Sequence, residues 1–216
     1  MKSRRLAVEG ALEFTPPVFL DARGLFVSLF QEAAFTAATG RALFPVAQTS
    51  HSKSARGVLR GLHFTRTPPG GAQYVYCPHG EILDIVVDLR IGSPTFGQVD
   101  TVLLDQRDFR AVYFPVGVGH AYVALRDDSV VSYVLSAPYV PENEMSLAPL
   151  DPELRLPVPA GIDPILSERD RKAQTLAEAK AAGVLPDYAV CQEIENAGRY
   201  SAALAEAEHV TPRRNA

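Results

Sequence analysis

The chain has 216 residues, 47% of them hydrophobic and 21% charged, and its formal net charge is −4. This length and composition fit one globular domain with an ample core, and the charge gives no electrostatic reason to expect nucleic acid or an anionic membrane as a partner. Two cysteines are too few for a disulfide framework, no signal peptide follows the basic N-terminus, and no apolar run approaches the roughly 20 residues of a membrane helix. We therefore expect a cytoplasmic protein.

Residues 1–139 are rich in patterns typical of short strands. Strand-like pieces alternate with turn signals up to residue 30, and residues 31–40 predict a short helix that Gly40 ends. Closely spaced strands follow from residue 43, and the clearest predicted ones are 74–77, 81–89, 101–104, 111–114, 120–125 and 129–135. Many short strands separated by Gly, Pro and Asp turns predict a mainly β protein, a cupin or jelly-roll barrel with short peripheral helices.

The C-terminal quarter has a different character. Five prolines between residues 149 and 164 predict an irregular, extended crossing. Ser167 then begins a predicted helix that ends at Gly183, and a second helix is predicted from residue 187 to about residue 196. We expect one cupin-type domain over residues 1–200 and a flexible tail over residues 201–216.

The apolar run over residues 57–64 contains two side chains suited to chemistry, Arg60 and His63. Two strand residues that are an odd number of positions apart, as Arg60 and His63 are, normally face opposite sides of a sheet. A bulge or Gly61 could turn both to one side, and bulges are common beside active sites. Histidine suits proton transfer near neutral pH; the alternative is a core histidine bound to a backbone carbonyl.

A metal or nucleotide cofactor is not expected. Cupin metal sites bring together several His and carboxylate ligands, typically with two His close together on one strand. The chain has five histidines, and no two of them lie within reach on one strand face. It also lacks the glycine-rich and Walker A patterns that bind dinucleotides and nucleoside triphosphates.

Several long motifs occur in a fixed order between residue 5 and about residue 190. They are Asp21-x-Arg23-Gly24-x-Phe26, Arg60-Gly61-Leu62-His63-Phe64, Pro68-Pro69, Gly80-Glu81-Ile82-Leu83-Asp84, Pro115-x-Gly117-x-Gly119-His120, Tyr133 and Ser167-x-x-Asp170. The set resembles the dTDP-4-dehydrorhamnose 3,5-epimerase family of metal-free cupins, especially members from antibiotic deoxysugar pathways. The resemblance implies cofactor-independent epimerisation at C5, or at C3 and C5, of a dTDP-4-keto-6-deoxyhexose.

The resemblance also implies catalytic roles. His63 matches the general base, Asp170 the carboxylate that orients it, and Tyr133 the acid that returns a proton to the opposite sugar face. Each has a structural alternative, since Asp170 also fits the first turn of a helix that starts at Ser167 and tyrosine is common in strands. Asp84 lies in an apolar strand where an acid needs a partner, and we expect it to support the base or Tyr133.

A nucleotide-binding set follows from the same resemblance. Arginine and histidine supply the donors that phosphate oxygens need, and the residues implied to hold the pyrophosphate are Arg23, Arg60 and His120. Amide pairing and aromatic stacking suit a thymine ring, and the residues implied to surround it are Gln48, Phe26 and Tyr139.

One position departs from the family pattern. Gln73 stands where the family carries a lysine that is thought to stabilise the enolate oxygen. A neutral donor makes a weaker hydrogen bond than a charged one, so Gln73 predicts a slower enzyme, a changed substrate, or help from another cation such as Arg66. The rival hypotheses are a C3-only epimerase, a cupin that binds a nucleotide-sugar with little activity, and a 3,4-ketoisomerase.

We also expect a homodimer. Open sheets expose strand edges that proteins normally pair or cover. The segment over residues 6–14 is a candidate for crossing to a second subunit, as in the relatives that the chain resembles.

Overall fold

The computed structural model describes residues 1–197, and this part of the chain folds into two antiparallel sheets and a separate hairpin. The strands in chain order are β1 (Lys2–Arg5), β2 (Leu12–Thr15), β3 (Val18–Asp21), β4 (Gly24–Val27), β5 (Gln48–Ser54), β6 (Leu59–Thr65), β7 (Gln73–His79), β8 (Glu81–Asp88), β9 (Val99–Asp105), β10 (Ala111–Phe114), β11 (Val118–Ala124), β12 (Ser129–Leu135) and β13 (Glu144–Ser146). The larger sheet has the order β1-β2-β10-β7-β12-β5, the smaller one has the order β13-β6-β11-β8-β9, and β3 pairs with β4. The predicted mainly β, cupin-type fold is confirmed.

The main core lies between the two sheets. Val75 and Val131 of the larger sheet belong to one buried cluster with Ile82, Val86 and Tyr122 of the smaller sheet. A second cluster covers the outer face of the smaller sheet with side chains from the C-terminal quarter, including Leu147, Leu154, Leu176 and Ala179. Because both faces of the smaller sheet are covered, β8 and β11 are apolar along most of their length rather than alternating.

The helices are short and peripheral. The predicted first helix is α1 (Glu32–Thr39), which Gly40 ends in the left-handed conformation with φ of 72°. The predicted helix from Ser167 to Gly183 is wrong, since the chain forms two helices there, α2 (Glu168–Arg171) and α3 (Leu176–Ala181). The chain leaves the helical path at residues 172–175 because Gln174 O accepts a hydrogen bond from Ala148 N, and Thr175 then begins α3 with a capping box.

The last described element is α4, residues 188–197, close to the predicted helix from residue 187. None of the helices in the described part of the chain is long and apolar enough to cross a membrane. The expected flexible tail, residues 201–216, lies outside the described residues.

A bulge in β6 brings Arg60 and His63 to the same side of the smaller sheet. His63 lies opposite His120 on β11, whereas Arg60 lies opposite Tyr122, so three steps along β6 match two steps along β11. Gly61 sits inside the bulge with φ of 123°, and a side chain there would clash with Ala121 and His120 of β11. The expectation that a bulge could offset the odd spacing is confirmed.

The segment over residues 6–14, predicted to cross to a second subunit, lies instead against its own chain. Its β2 residues pair with β10, and Val8 and Phe14 are fully buried in the same subunit. The element that projects is the β3–β4 hairpin, where the side chains of residues 19–26 are exposed on both faces. Four of these are large and apolar: Phe19, Leu20, Leu25 and Phe26.

Candidate active site

A cavity of about 370 Å³ opens between the sheets and is lined by β5, β6, β7, β11, β12 and the loop that follows β12. Seven of the eleven side chains predicted for the site line it: Gln48, Arg60, His63, Gln73, His120, Tyr133 and Tyr139. The sheets are therefore the scaffold that brings together residues far apart in the sequence.

His63 and Asp170 form a hydrogen-bonded pair at one wall of the cavity. His63 Nε2 lies 2.7 Å from Asp170 Oδ1. The imidazole side chain is 35% exposed whereas the carboxylate is 3% exposed, so the ring faces the cavity and the acid lies behind it. With Nε2–H donated to the carboxylate, Nδ1 keeps its lone pair and accepts no hydrogen bond from residues 1–197. That arrangement suits a general base.

Asp170 is held by three side chains. Ser167, the N-cap of α2, donates from Oγ to Asp170 Oδ2 at 2.8 Å and accepts from the Asp170 backbone N–H at 3.1 Å. Ser146 on β13 donates to Oδ1 at 3.2 Å. Burial alone would raise the pKa of the carboxyl, but the hydrogen bond and charge of His63, together with the two serines, hold its pKa below the ordinary value. The carboxylate therefore stays ionised, and the helix-start role and the histidine contact coexist.

Tyr133 reaches the same cavity from the opposite sheet. It lies on β12 of the larger sheet, whereas His63 lies on β6 of the smaller one. Its hydroxyl is 3.2 Å from Ser52 Oγ on the neighbouring β5. Burial is the main reason that the pKa of this phenol is raised well above its ordinary value. The phenol is accordingly a proton donor rather than a base at neutral pH.

A second histidine–carboxylate pair contributes His120 to the cavity lining. His120 Nε2 is 2.6 Å from Asp84 Oδ2, and its ring lies edge-on to Tyr133 with centroids 6.2 Å apart. Asp84 was predicted as a substrate-binding residue, but its full burial keeps it out of the cavity lining. Its only side-chain hydrogen bond within residues 1–197 is to His120, and the expected support of the base or Tyr133 stays a prediction.

The outer end of the cavity carries the residues predicted to surround a nucleotide base. Gln48 Oε1 accepts a hydrogen bond from the Tyr139 backbone N–H at 2.9 Å, and Gln48 Nε2 donates to Ser50 Oγ at 2.9 Å. Tyr139 is half-exposed at the rim. Arg60 lies along the same wall with its side chain open to solvent.

Two predicted residues lie outside the cavity of their own chain. The Arg23 side chain is 90% exposed at the tip of the β3–β4 hairpin and pairs with Asp21, while Phe26 on the same hairpin is 67% exposed. The structure therefore does not bring these two predicted residues into the cavity of their own chain. The hairpin packs away from the sandwich, which sequence spacing alone does not reveal.

Several cavity residues were missed by the sequence analysis. Glu144 and Arg169 line the cavity near His63; burial raises the pKa of Glu144, against the opposing effects of Arg169 and His63. Ser52 was also missed; it lines the cavity from one of the four inward-facing positions of β5, which are Gln48, Ser50, Ser52 and Ser54. Their signal was available, because an inward-facing stripe with a period of two is normally apolar and here it is entirely polar.

The cavity presents no metal-binding constellation. His63 and His120 each bind a different carboxylate, and no three His, Cys, Asp or Glu side chains in residues 1–197 are arranged to hold a metal ion. What the cavity offers includes the imidazole of His63, the phenol of Tyr133, the neutral amide of Gln73 and the exposed guanidinium of Arg60.

Comparison with known proteins gives consistent matches over most of the chain. A family model described as dTDP-4-dehydrorhamnose 3,5-epimerase matches residues 5–178. A dTDP-4-dehydrorhamnose 3,5-epimerase of Mycolicibacterium smegmatis is 51% identical over 193 residues, covering 89% of this chain and 94% of that protein.

Solved structures of related epimerases also match most of the chain. A 4-keto-6-deoxy sugar epimerase from the novobiocin biosynthetic gene cluster of Streptomyces spheroides superposes with a TM-score of 0.85 at 46% identity, covering 88% of this chain and 95% of that one. A 3'-monoepimerase from Streptomyces bikiniensis in complex with dTDP-quinovose gives a TM-score of 0.84 at 44% identity, covering 89% and 97%. The chain belongs to the dTDP-4-dehydrorhamnose 3,5-epimerase family.

Proposed function

We propose that this protein epimerises a dTDP-4-keto-6-deoxyhexose at C5, or at C3 and C5, without a cofactor. The observation that carries the proposal is the placement of His63 and Tyr133 on opposite walls of one cavity, each on a different sheet. Inversion of a carbon requires removal of its proton on one side and return of a proton on the other. Two groups that face each other across the substrate meet that requirement.

The proton balance can be written in two steps. His63 Nδ1 takes the proton from the carbon next to the keto group, and the electron pair of the C–H bond moves to the keto oxygen as an enolate forms. Tyr133 then donates its hydroxyl proton to the other face of that carbon, and the C4 carbonyl re-forms. Asp170 stabilises the imidazolium between the two steps, because it is an ionised carboxylate 2.7 Å from Nε2.

Gln73 is the proposed contact for the enolate oxygen. It lines the cavity at the start of β7, where its neighbours across the sheet are Phe114 and Leu135. An amide donates a hydrogen bond to an oxyanion without adding a positive charge. A rate below that of lysine-containing relatives follows from this proposal.

The nucleotide part of the substrate extends toward the rim in this proposal. Arg60 and His120 hold the pyrophosphate, and Gln48 and Tyr139 surround the thymine ring. Arg23 and Phe26 complete the site from the hairpin of a second subunit, which accounts for their exposure in the single chain. The protein therefore acts as a homodimer.

We also propose that the sugar belongs to the biosynthesis of a glycosylated natural product. The support is similarity to the epimerase from the novobiocin cluster. Similarity to the 3'-monoepimerase of Streptomyces bikiniensis favours a second candidate, epimerisation at C3 alone.

The deciding experiment is incubation with dTDP-4-keto-6-deoxyglucose in heavy water. Deuterium at C5, or at C3 and C5, with inverted product supports the proposal, and deuterium at C3 alone supports the C3 epimerase. Movement of the keto group would indicate a 3,4-ketoisomerase, and binding without exchange would indicate a nucleotide-sugar-binding protein with little activity. His63→Asn is the control variant, since it should lose exchange while dTDP still binds; full activity in this variant would rule out His63 as the base.

A further inference from the structure

Glu195 on α4 binds two segments of the chain that lead to residues of the active-site cavity. Its Oε2 lies 2.9 Å from Arg41 Nη1, and its Oε1 accepts a hydrogen bond from the Val116 backbone N–H at 2.9 Å. The Arg41 guanidinium also donates to the Tyr113 hydroxyl. The side chains of Arg41 and Glu195 are only 16% and 15% exposed, so this ion pair is largely buried.

The first segment, residues 41–46, connects α1 to Gln48 at the start of β5. Past Arg41, no atom of this segment makes a hydrogen bond within residues 1–197. Two of its apolar side chains pack at the edge of a buried cluster, but most of the segment also lines a second cavity of about 560 Å³. Because apolar packing is non-directional, the contacts of the Arg41 side chain are the ones that fix where this segment lies.

The second segment is the turn between β10 and β11, the strand that carries His120. Glu195 supplies the acceptor for the Val116 N–H in this turn. The next residue, Gly117, approaches α4 so closely that an added Cβ would lie 2.5 Å from Cys191 Sγ. Helix α4 therefore packs directly against the turn from which the strand of His120 begins.

We infer that Glu195 is a positioning residue for the nucleotide end of the substrate. It acts through Gln48 and His120, and the inference rests on the proposed function, in which these two residues hold the thymine ring and the pyrophosphate. Helix α4 lies outside residues 5–178, the part of the chain that the family model matches. A carboxylate beyond that part thus contributes to the site without lining it.

Loss of this carboxylate should affect binding more than chemistry. Removal of one partner from a buried ion pair leaves the other charge unpaired, so the Arg41 guanidinium would turn toward water and move the segment that precedes Gln48. The Val116 N–H would lose its acceptor at the same time. Neither segment leads into β6 or β12, the strands of the proposed base and acid.

Calorimetry with dTDP and steady-state kinetics on the full chain test the inference. Glu195→Ala should raise the Kd of dTDP about tenfold, the equivalent of roughly one lost hydrogen bond. KM for the 4-keto sugar nucleotide should rise in parallel, while kcat at saturating substrate stays close to the wild-type value. Glu195→Gln keeps an acceptor for Val116 and Arg41 and should give a smaller rise in Kd, and it provides the test if Glu195→Ala folds poorly.

Glu13→Ala is the matched control. Glu13 is also a largely buried carboxylate, 11% exposed, and it pairs with Arg4 at 2.7 Å and with Arg110 at 3.8 Å. None of these three residues lines the active-site cavity. Glu13→Ala should therefore lower Tm and leave the Kd of dTDP unchanged.

The inference is overturned if the Glu195 variants bind dTDP with the wild-type Kd, even if their Tm falls, because Glu195 would then only support the fold. An equal rise in Kd for Glu13→Ala would also overturn it, since the loss of any buried ion pair would then weaken binding. A wild-type protein that does not bind dTDP would instead refute the proposed function, and the role of Glu195 with it.

Discussion

Gln73 is the residue whose replacement tests the oxyanion contact directly. We expect Gln73→Lys to raise kcat with little change in KM, because an ammonium meets charge that develops only as the proton leaves. The gain should lie within the roughly 10²–10³-fold range that a single oxyanion donor provides. Steady-state kinetics on dTDP-4-keto-6-deoxyglucose measure it.

A fall in rate for Gln73→Lys would mean that another cation already serves the enolate oxygen. Arg66, the sequence-based candidate, does not line the cavity and contacts Met145 instead. Arg169 does line it, so Arg169 is the residue to replace in that event. An unchanged rate would show that residue 73 does not face the oxygen.

Asp170 gives a pH-dependent contribution to stability. Its pKa is below the ordinary value in the folded protein, so the ionised carboxylate stabilises the fold fully above the unfolded-state pKa of about 3.9. This contribution is lost as the pH falls below that value and through the lower folded-state pKa. We expect the Tm difference between wild type and Asp170→Asn to be largest at about pH 6 and to shrink toward about pH 3, as calorimetry at several pH values would measure. A difference that grows on acidification would contradict this.

Residue-scale prediction from the sequence succeeded where a side chain acts through a local pattern. Asp170 follows Ser167 at capping distance, and His63 interrupts an apolar run. The contact between Asp84 and His120 was not predicted, because His120 lies on a neighbouring strand and the identity of that strand is a tertiary fact.

At the scale of single elements, the β6 bulge is the feature that positions His63, the proposed base. An added Cβ at Gly61 would lie 2.4 Å from Ala121 Cβ and 2.7 Å from His120 O, at a φ of 123° that side chains rarely adopt. We expect Gly61→Ala to cost about 1–3 kcal/mol from the backbone conformation alone, with a further cost from the clash and a loss of kcat. Urea denaturation and kinetics measure these effects.

Gly92→Ala is the matched control for that experiment. Gly92 also has a positive φ, 87°, but nothing lies within 4 Å of its added Cβ. The comparison isolates the close approach of β6 and β11 from backbone strain. Equal effects of the two substitutions would show that the bulge tolerates a side chain.

Strands were easier to predict than helices in this chain. The predicted strands over residues 111–114 and 129–135 match β10 and β12 because apolar and β-branched residues there are bounded by turns. The helix predicted over residues 167–183 was broken by one backbone hydrogen bond from Ala148, a contact across 26 residues that no local pattern contains.

At the scale of the whole molecule, the projecting hairpin predicts a homodimer. A two-stranded hairpin is marginal by itself, and a cluster of exposed apolar side chains marks an interaction surface. We expect the protein to elute as a dimer at micromolar concentration and Leu20→Asp to shift it toward monomer, since Leu20 is 80% exposed in the single chain. Light scattering coupled to size exclusion measures both.

The same test includes a measurement of KM and a control substitution at another exposed leucine. Leu20→Asp should also raise KM if Arg23 and Phe26 reach a neighbouring cavity. Leu150→Asp, at an exposed leucine elsewhere, should remain dimeric and active. A wild-type monomer with full activity would contradict the expectation.

In the proposed mechanism the base and the acid lie on different sheets, so the stereochemical purity of the product depends on how the two sheets pack. The distance between the two sheets, which the sugar ring must fit, depends on the buried side chains that fill the core between them, such as Val75, Val86 and Val131. Protein interiors are close-packed and transmit strain over distance. A methyl group removed from that core, far from any substrate atom, would therefore alter the proportion of C3 to C5 products before it altered the chemistry of either group.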